Sequence, residues 1–389
     1  MTQWDAVDNS KISARCKLDL YTNTSGRQHA IVRLLDSALS LPAGQDILIY
    51  GRESVTWRNA KNSMDFHALL KSKHQKVINK GDKITIIHSI DRDDEELIQN
   101  LLYWLPLHLT RKTNALYIPE YAGSPIKASM TILRNKAAMF GMTADGQSSS
   151  LSTYYSTDVP ILEKLQEYFS ALSLISIPLF ENNDISETTA LSLDLSARRG
   201  NSFMCSALPF QYCFNRREAL ELFEENNIKD TVLTSCLDFF ELDKKRLISS
   251  LDSRKTTLFM SLSQLEKAVT EGVNISYCNW ITGRPLYVSP RMVHTFCRNF
   301  CDIILDIPNL SVAMINNIYL QDSTTPTLLV KENYAFLANA ISYDVLGPLI
   351  VKEPTIVRAV YQYMEKIWRS TPRIYKDKGS IVQLIYDII

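Results

Sequence analysis

The sequence lacks net charge, long apolar runs and a targeting signal. Its 42 lysine and arginine residues balance 42 aspartate and glutamate residues, which argues against the basic surface of a chain that tracks nucleic-acid phosphates. No stretch is apolar for the roughly 18 residues that a membrane span needs, and the first residues, MTQWDAVDNSK, lack the charged and apolar regions of a signal peptide. We therefore expect a cytoplasmic protein with no membrane contact and no direct nucleic acid binding by this chain.

The recurrent motifs of enzymes are absent as well. The sequence contains no glycine-rich phosphate loop, no G-x-S-x-G or H-E-x-x-H motif and no C-x-x-C pair. The seven cysteines are an odd number in apolar surroundings, which is typical of reduced core residues. Cys297 and Cys301 have helical spacing near His294, but the neighbourhood offers no fourth ligand for a metal. We expect no catalytic residue, no metal and no cofactor.

What the sequence does contain is one series of elements that occurs twice. A helix is followed by three strands and a second helix, and about 196 residues later the same order returns. The first copy comprises 93–109, 115–118, 130–133, 137–142 and 159–172. The second copy comprises 289–305, 311–315, 327–330, 334–337 and 354–368. A duplicated unit constrains which elements pack together, so we expect two α/β halves related by a pseudo-twofold axis.

Helices alternate with strands ahead of the first copy. Residues 27–41 carry an apolar stripe with the 3.6-residue period of a core-facing helix, and an amphipathic helix is predicted at 64–78. Continuous apolar runs at 47–50 and 84–87 are typical of strands that are buried on both faces of a parallel sheet. This alternation predicts an α/β layer.

These patterns divide the chain into four predicted segments. They are an amino-terminal arm or linker at 1–25, a first α/β half at 26–180, a crossing loop and helical insertion at 181–275, and a second α/β half at 276–389. Within the insertion we expect three capped helices, at 216–226, 230–252 and 263–272.

A duplicated α/β chain is similar to the phospholipase D fold, in which each half supplies an H-x-K-x4-D motif. The run HQK at 74–76 matches the first three positions, but Gly81 stands where the aspartate belongs, and the second half offers nothing comparable. A half-motif cannot supply both the nucleophilic and the acid histidine of that family. The resemblance therefore implies phospholipase D-like halves without the catalytic motifs, and we expect that the chain is not an enzyme.

Three segments resemble the large carboxy-terminal region of helix-turn-helix (XRE-type) transcriptional regulators from clostridia and related Firmicutes. They are 26–54, 81–121 and 287–315, and the passage IIHSIDRD at 86–93, followed by WLPL at 104–107, carries the resemblance most strongly. The resemblance implies an effector-sensing and dimerisation region. In that family a DNA-binding helix-turn-helix comes first, whereas about 25 residues precede the first helix here, so we expect a truncated chain or a stand-alone relative.

Polar side chains follow the predicted strands at their carboxyl ends, where α/β sheets bind ligands. Arginines offer forked donors and aromatic rings offer flat walls, so we predict a pocket for a small polar or anionic ligand. Its predicted residues are Arg52, Trp57, Arg58, His88, Asp91, Arg92 and Tyr121. The alternative is structural: Asp91 or Ser89 caps the following helix, and His88 is a hydrogen-bonded core histidine.

Three functions are consistent with these observations. The first is a non-catalytic effector-sensing and dimerisation region of a bacterial transcription regulator, which works as a homo-dimer. The second is an interaction module that binds a protein or a peptide without sensing a small molecule. The third is an enzyme with a diverged phospholipase D-like fold, which the missing histidines disfavour.

Overall fold

The computed structural model describes most of the chain as two units. The described ranges are 17–54, 56–58, 64–119, 126–144, 152–181, 185–197, 200–252, 254–315, 327–331, 334–338 and 349–389. Unit 1 comprises 1–96 and 112–178, and unit 2 comprises 97–111 and 179–389. The predicted site residue Tyr121 lies outside the described residues.

Helices and strands alternate through both units, which confirms the mixed α/β class. The strands are β1 (Leu18–Thr22), β2 (Asp46–Gly51), β3 (Lys83–His88), β4 (Thr113–Tyr117), β5 (Ile126–Leu133), β6 (Ala137–Ala144), β7 (Ser152–Ser156), β8 (Ile177–Pro178), β9 (Ser202–Cys205), β10 (Thr256–Met260), β11 (Val273–Ile275), β12 (Leu286–Val288), β13 (Leu310–Met314), β14 (Thr327–Lys331), β15 (Tyr334–Ala338) and β16 (Leu349–Val351). The helices are α1 (Asn23–Ser40), α2 (Met64–Lys80), α3 (Asp94–His108), α4 (Val159–Leu174), α5 (Ile185–Ala197), α6 (Arg216–Glu225), α7 (Asp230–Leu251), α8 (Leu262–Glu271), α9 (Asn279–Thr282), α10 (Pro290–Asp306), α11 (Pro354–Ser370) and α12 (Lys378–Ile388).

One mixed sheet forms the frame of unit 1. Its strands lie in the order β1-β7-β6-β5-β2-β3-β4-β8. The apolar strands β2, β3 and β4 are parallel to one another, as the continuous apolar runs at 47–50 and 84–87 predict. β5, β6, β7 and β1 continue the sheet with antiparallel pairing. Leu48, Tyr50, Ile132 and Phe169 belong to the core on this sheet, the last of them from α4.

The sheet of unit 2 has the order β13-β10-β9-β14-β15-β16. β9, β10 and β13 are parallel, and β14, β15 and β16 pair antiparallel. This order and these directions are the same as those of β4-β3-β2-β5-β6-β7 in unit 1. The core of unit 2 is rich in aromatic side chains, including Phe210, Phe214, Phe240, Phe296 and Phe300.

Two of the predicted segments contain elements that the sequence patterns do not predict. The predicted arm at 1–25 contains β1, which pairs with β7, and α1 begins at Asn23. The predicted crossing loop and insertion at 181–275 contains α5 and also β9 and β10, which lie inside the sheet of unit 2. Both strands are short, and an apolar run of so few residues does not distinguish a strand from a piece of buried helix. The three helices predicted in the insertion are confirmed as α6, α7 and α8.

Two further expectations concern cysteines and membranes. The six cysteines in the described part of the chain are free and buried, in agreement with their expected role in the core. Cys16 lies outside the described residues. Among the described residues no helix has the length and apolar character that a membrane crossing requires.

Candidate functional site

The carboxyl ends of β2 and β3 meet at one edge of the unit 1 sheet. The two strands are parallel and pair Gly51 with His88, so the residues that follow them leave the sheet side by side. β5 runs antiparallel on the other side of β2 and places Ser129 opposite Gly51. This edge is the place where open α/β sheets bind ligands.

An arginine and an aspartate from the two strand ends form an ion pair. Arg52 donates from Nε to Oδ2 of Asp91 over 2.9 Å and also from Nη2 to the same oxygen. Ser89 donates its hydroxyl to Oδ1 of Asp91. Partial burial raises the pKa of Asp91, but the hydrogen bonds from Arg52 and Ser89 outweigh burial and leave the pKa below its usual value. Asp91 is therefore an anion at neutral pH.

A second ion pair lies deeper at the same edge. Nη1 of Arg27, from α1, is 2.6 Å from Oε2 of Glu53. Arg27 also donates from Nη2 to Oγ of Ser129 over 2.6 Å, and Ser129 donates to Oε2 of Glu53. Gly141 on β6 faces the carboxylate, because a β-carbon at this position would lie 3.5 Å from Oε1 of Glu53. The close contact that the glycine avoids is with the carbonyl oxygen of Ser152, 2.8 Å from such a β-carbon.

The third arginine at this edge, Arg92, contacts the backbone where β2 ends. Arg92 donates to the carbonyl oxygens of Glu53, over 2.6 Å, and of Gly51. It also lies 3.5 Å from Oε2 of Glu96, whose Oε1 accepts a hydrogen bond from Ser54. The guanidinium thus donates hydrogen bonds to backbone carbonyl oxygens at the end of β2 and just after it.

His88 and Trp57 are buried beside these pairs. Burial, and then the positive charges of Arg92 and Arg58, together lower the pKa of His88 to about 3. The imidazole is therefore neutral at pH 7. The guanidinium of Arg27 lies 4.9 Å from the ring centroid of Trp57, and that of Arg58 lies 5.3 Å from it, so both arginines contact the indole.

The structure brings six of the seven predicted site residues to this edge: Arg52, Trp57, Arg58, His88, Asp91 and Arg92. Their binding role stays a prediction, because the side chains of Arg52, Asp91 and Arg92 already bind protein groups. The alternative cap role of Asp91 or Ser89 is wrong. Asp93 precedes α3 and accepts from the backbone N–H of Glu96 over 2.9 Å, which is the usual N-cap bond.

Arg27, Ser129 and Glu96 belong to the network and were not predicted. One sequence signal did point to Arg27. It lies on the same face of α1 as the buried Ile31 and Leu34, and a charge on a buried face requires a buried partner. Ser129 gave no such signal, because its position opposite Gly51 depends on the pairing of β5 with β2.

The arrangement concentrates four guanidinium groups at one strand edge. We call Arg27, Arg52, Arg58 and Arg92 the arginine cluster. Guanidinium groups bind carboxylate and phosphate oxygens through forked, charge-assisted hydrogen bonds, which are stronger where water is excluded. No group of metal-binding side chains occurs in the part of the chain that the structure describes. Anion binding is the chemistry for which guanidinium groups are suited.

Comparisons with known proteins give no family for this chain. No family model matches, and no curated protein matches. Among solved structures, this chain is similar to TrmBL2, an archaeal chromatin protein with a novel mode of DNA binding, at 10% identity and a TM-score of 0.29. The match covers 43% of this chain and 56% of the TrmBL2 chain. It is also similar to NucT from Helicobacter pylori at 14% identity and a TM-score of 0.29, and that match covers 42% of this chain and 99% of the NucT chain. Similarity this low supports no argument about function.

Proposed function

We propose that this chain is a non-catalytic effector-sensing region of a bacterial transcription regulator and that its effector is a small anion bound at the arginine cluster. The observation that carries the ligand proposal is the convergence of Arg52, Arg92 and Arg27 at the carboxyl ends of β2 and β3. Such strand ends are the usual ligand site of an α/β sheet. The regulator assignment rests on the resemblance of 26–54, 81–121 and 287–315 to XRE-type regulators.

The architecture of a sensor is also part of the proposal. The six shared strands of the two units support a duplication of phospholipase D-like halves with a pseudo-twofold relation. Regulators of this type act on DNA as symmetric dimers, so we expect the intact protein to be a homo-dimer. Because the formal net charge is zero, DNA binding is assigned to a helix-turn-helix and not to these residues.

A diverged phospholipase D-like enzyme has less support. His74, the histidine of the half-motif, is 2% exposed within α2, and its Nδ1 lies 2.9 Å from the carbonyl oxygen of Leu70. Burial lowers its pKa to about 3. A buried histidine in a helix does not reach a substrate, so the half-motif is best explained as a structural feature.

A protein- or peptide-binding module is favoured by one specific observation. Three large apolar side chains at the end of α4 and just beyond it are exposed close together in the chain, and neighbouring exposed apolar side chains are typical of a contact surface. They are Leu174, Ile175 and Ile177. We rank this function second, because the patch is also compatible with the dimer contact that the sensor proposal requires.

The sensor proposal is tested by thermal melting with a panel of small carboxylates and phosphates. A ligand that binds only the folded protein raises stability by RT ln(1 + [L]/Kd), so at least one anion is expected to raise the melting midpoint. Arg52→Gln should abolish that shift. Arg134→Gln is the matched control, because Arg134 forms an exposed pair with Asp46 in the same unit. No shift with any anion, or an unchanged shift in Arg52→Gln, would contradict the proposal.

A further inference from the structure

The carboxylate of Asp91 is held in the way that a bound organic acid would be held. Nε and Nη2 of Arg52 both donate to Oδ2, and the hydroxyl of Ser89 donates to Oδ1. Both oxygens of one planar carboxylate are therefore recognised by charged and neutral donors together. This is the donor set that proteins use to orient a carboxylate ligand.

The carboxylate of Asp91 is partly accessible to solvent. Its side chain is 23% exposed, whereas the side chain of Glu53 is 1% exposed. The position occupied by the Asp91 carboxylate can therefore be reached from solvent, while the position of Glu53 cannot. Glu96, at 21%, has similar access, but it lies 3.5 Å from Arg92, whose shorter bonds go to backbone carbonyls.

The position of Asp91 in the chain leaves it free of a helix-capping role. Asp93 makes the N-cap bond of α3, so displacement of Asp91 does not remove that bond. Arg52, in contrast, is anchored through its backbone, because its N–H donates to the carbonyl oxygen of Ala128 over 2.9 Å. A competing anion would therefore find a guanidinium carried on an anchored backbone and a carboxylate that belongs to a short loop between β3 and α3.

We propose that Asp91 is an internal stand-in for the ligand and that the effector is a small organic acid whose carboxylate displaces Asp91 from Arg52 and Ser89. The inference rests on the proposed function, since it names the ligand class and the first contact of the same site. Binding then releases the carboxylate of Asp91 from Arg52 and Ser89, while Asp93 keeps its N-cap bond to α3. This differential contact is what allows a ligand to shift the protein between two states.

The test is chemical rescue of Asp91→Ala with sodium acetate. Removal of the carboxylate leaves Arg52 without this partner, so the variant should melt at a lower temperature than the parent chain. Acetate should raise its midpoint saturably, with an apparent affinity at least about tenfold tighter than for the parent, in which Asp91 competes for the site. Sodium chloride at equal ionic strength should not raise the midpoint of Asp91→Ala. Sodium phosphate should raise it less than acetate does if the site prefers a planar carboxylate.

Two variants control for the place of binding. Asp91→Ala combined with Arg52→Gln should lose the acetate effect, because the donors of the site are gone. Asp46→Ala removes the carboxylate of an exposed arginine pair in the same unit, Arg134–Asp46, and should gain no acetate effect. If Asp91→Ala does not fold, Asp91→Asn removes the charge with nearly the same shape and should also be stabilised by acetate more than the parent.

The outcomes separate this inference from the sensor proposal. If both Asp91 variants fold and acetate stabilises neither of them more than the parent, Asp91 is not a stand-in. In that case an anion that stabilises the parent chain through Arg52 would still support a sensor. Equal rescue by phosphate would overturn the assignment to organic acids. Rescue by acetate without any anion that stabilises the parent would contradict both proposals, because no ligand would then displace Asp91 in the parent chain.

Discussion

The guanidinium of Arg27 lies 2.6 Å from Oε2 of Glu53, and the two side chains are only 5% and 1% exposed. Arg27 comes from α1, whereas Glu53 follows β2, so the pair joins a helix to the sheet edge that carries the candidate site. Removing ions from water is unfavourable, and a buried pair offsets this only when both partners are present and hydrogen-bonded. Ser129 supplies one of those hydrogen bonds to each partner.

We expect Glu53→Ala to lower the free energy of unfolding by about 3–5 kcal/mol, because it leaves Arg27 charged and buried. Arg27→Met combined with Glu53→Leu should lose much less, since neither change then leaves an unpaired charge. The free energies of unfolding of the single and the double variant are measured by urea denaturation, with a probe placed in unit 1. The control is Arg134→Ala at an exposed pair, expected to lose no more than about 1 kcal/mol. Equal losses in the single and double variants would show that the charge is not the cause.

Gly141 supports the same carboxylate from the sheet. A β-carbon at position 141 would lie 2.8 Å from the carbonyl oxygen of Ser152 and 3.5 Å from Oε1 of Glu53. We expect Gly141→Ala to lower the melting midpoint, with a loss of about 1–3 kcal/mol typical of overpacking. Gly51→Ala is the control, because its nearest neighbour would be Cβ of Ser129 at 3.7 Å. Similar losses in both variants would argue against a crowding effect specific to Gly141.

Arg92 differs from a surface arginine in what it contacts. Its side chain is 3% exposed and donates to the carbonyl oxygens of Gly51 and Glu53. Arg92→Ala is therefore expected to destabilise the protein by about 1–3 kcal/mol, because buried acceptors lose their donor. Melting in the absence of ligand measures the loss, and Arg134→Ala again serves as the exposed control. A melting curve like that of the parent would show that water replaces the guanidinium.

The sequence predicts the frame of this site better than its contacts. The apolar runs at 47–50 and 84–87 lie within β2 and β3, and parallel strands bring their carboxyl ends to one edge. This is why Arg52, Asp91 and Arg92 were found. The deeper ion pair of Arg27 and Glu53 was not predictable in the same way, since it depends on the packing of α1 on the sheet.

The second unit shows a different limit of sequence patterns. The later strands β13, β14 and β15 coincide with the predicted runs at 311–315, 327–330 and 334–337. β9 and β10 did not stand out, because each has only three apolar residues in a row and so short a run carries no clear period. In the sheet β10 is the parallel partner of β13, and β9 lies between β10 and β14.

The buried histidine of the site makes stability depend on pH. The pKa of His88 is about 3 in the folded protein, because of burial and then of Arg92 and Arg58, against 6.5 for an ordinary histidine. Between these values the unfolded chain binds a proton that the folded chain excludes. The free energy of unfolding therefore falls as the pH falls below about 6.5, by up to about 1.4 kcal/mol per pH unit for one such residue. His74 acts in the same direction.

We expect His88→Gln to make this pH dependence shallower. Urea denaturation between pH 6.5 and pH 4.5 measures the slope, and the comparison is between slopes, because other titrating groups contribute equally to both proteins. His29→Gln is the matched control, since His29 is exposed on α1, and it should keep the slope of the parent. If His88→Gln kept that slope as well, the imidazole would bind its proton equally well in the folded and unfolded chains, which would contradict the lowered pKa.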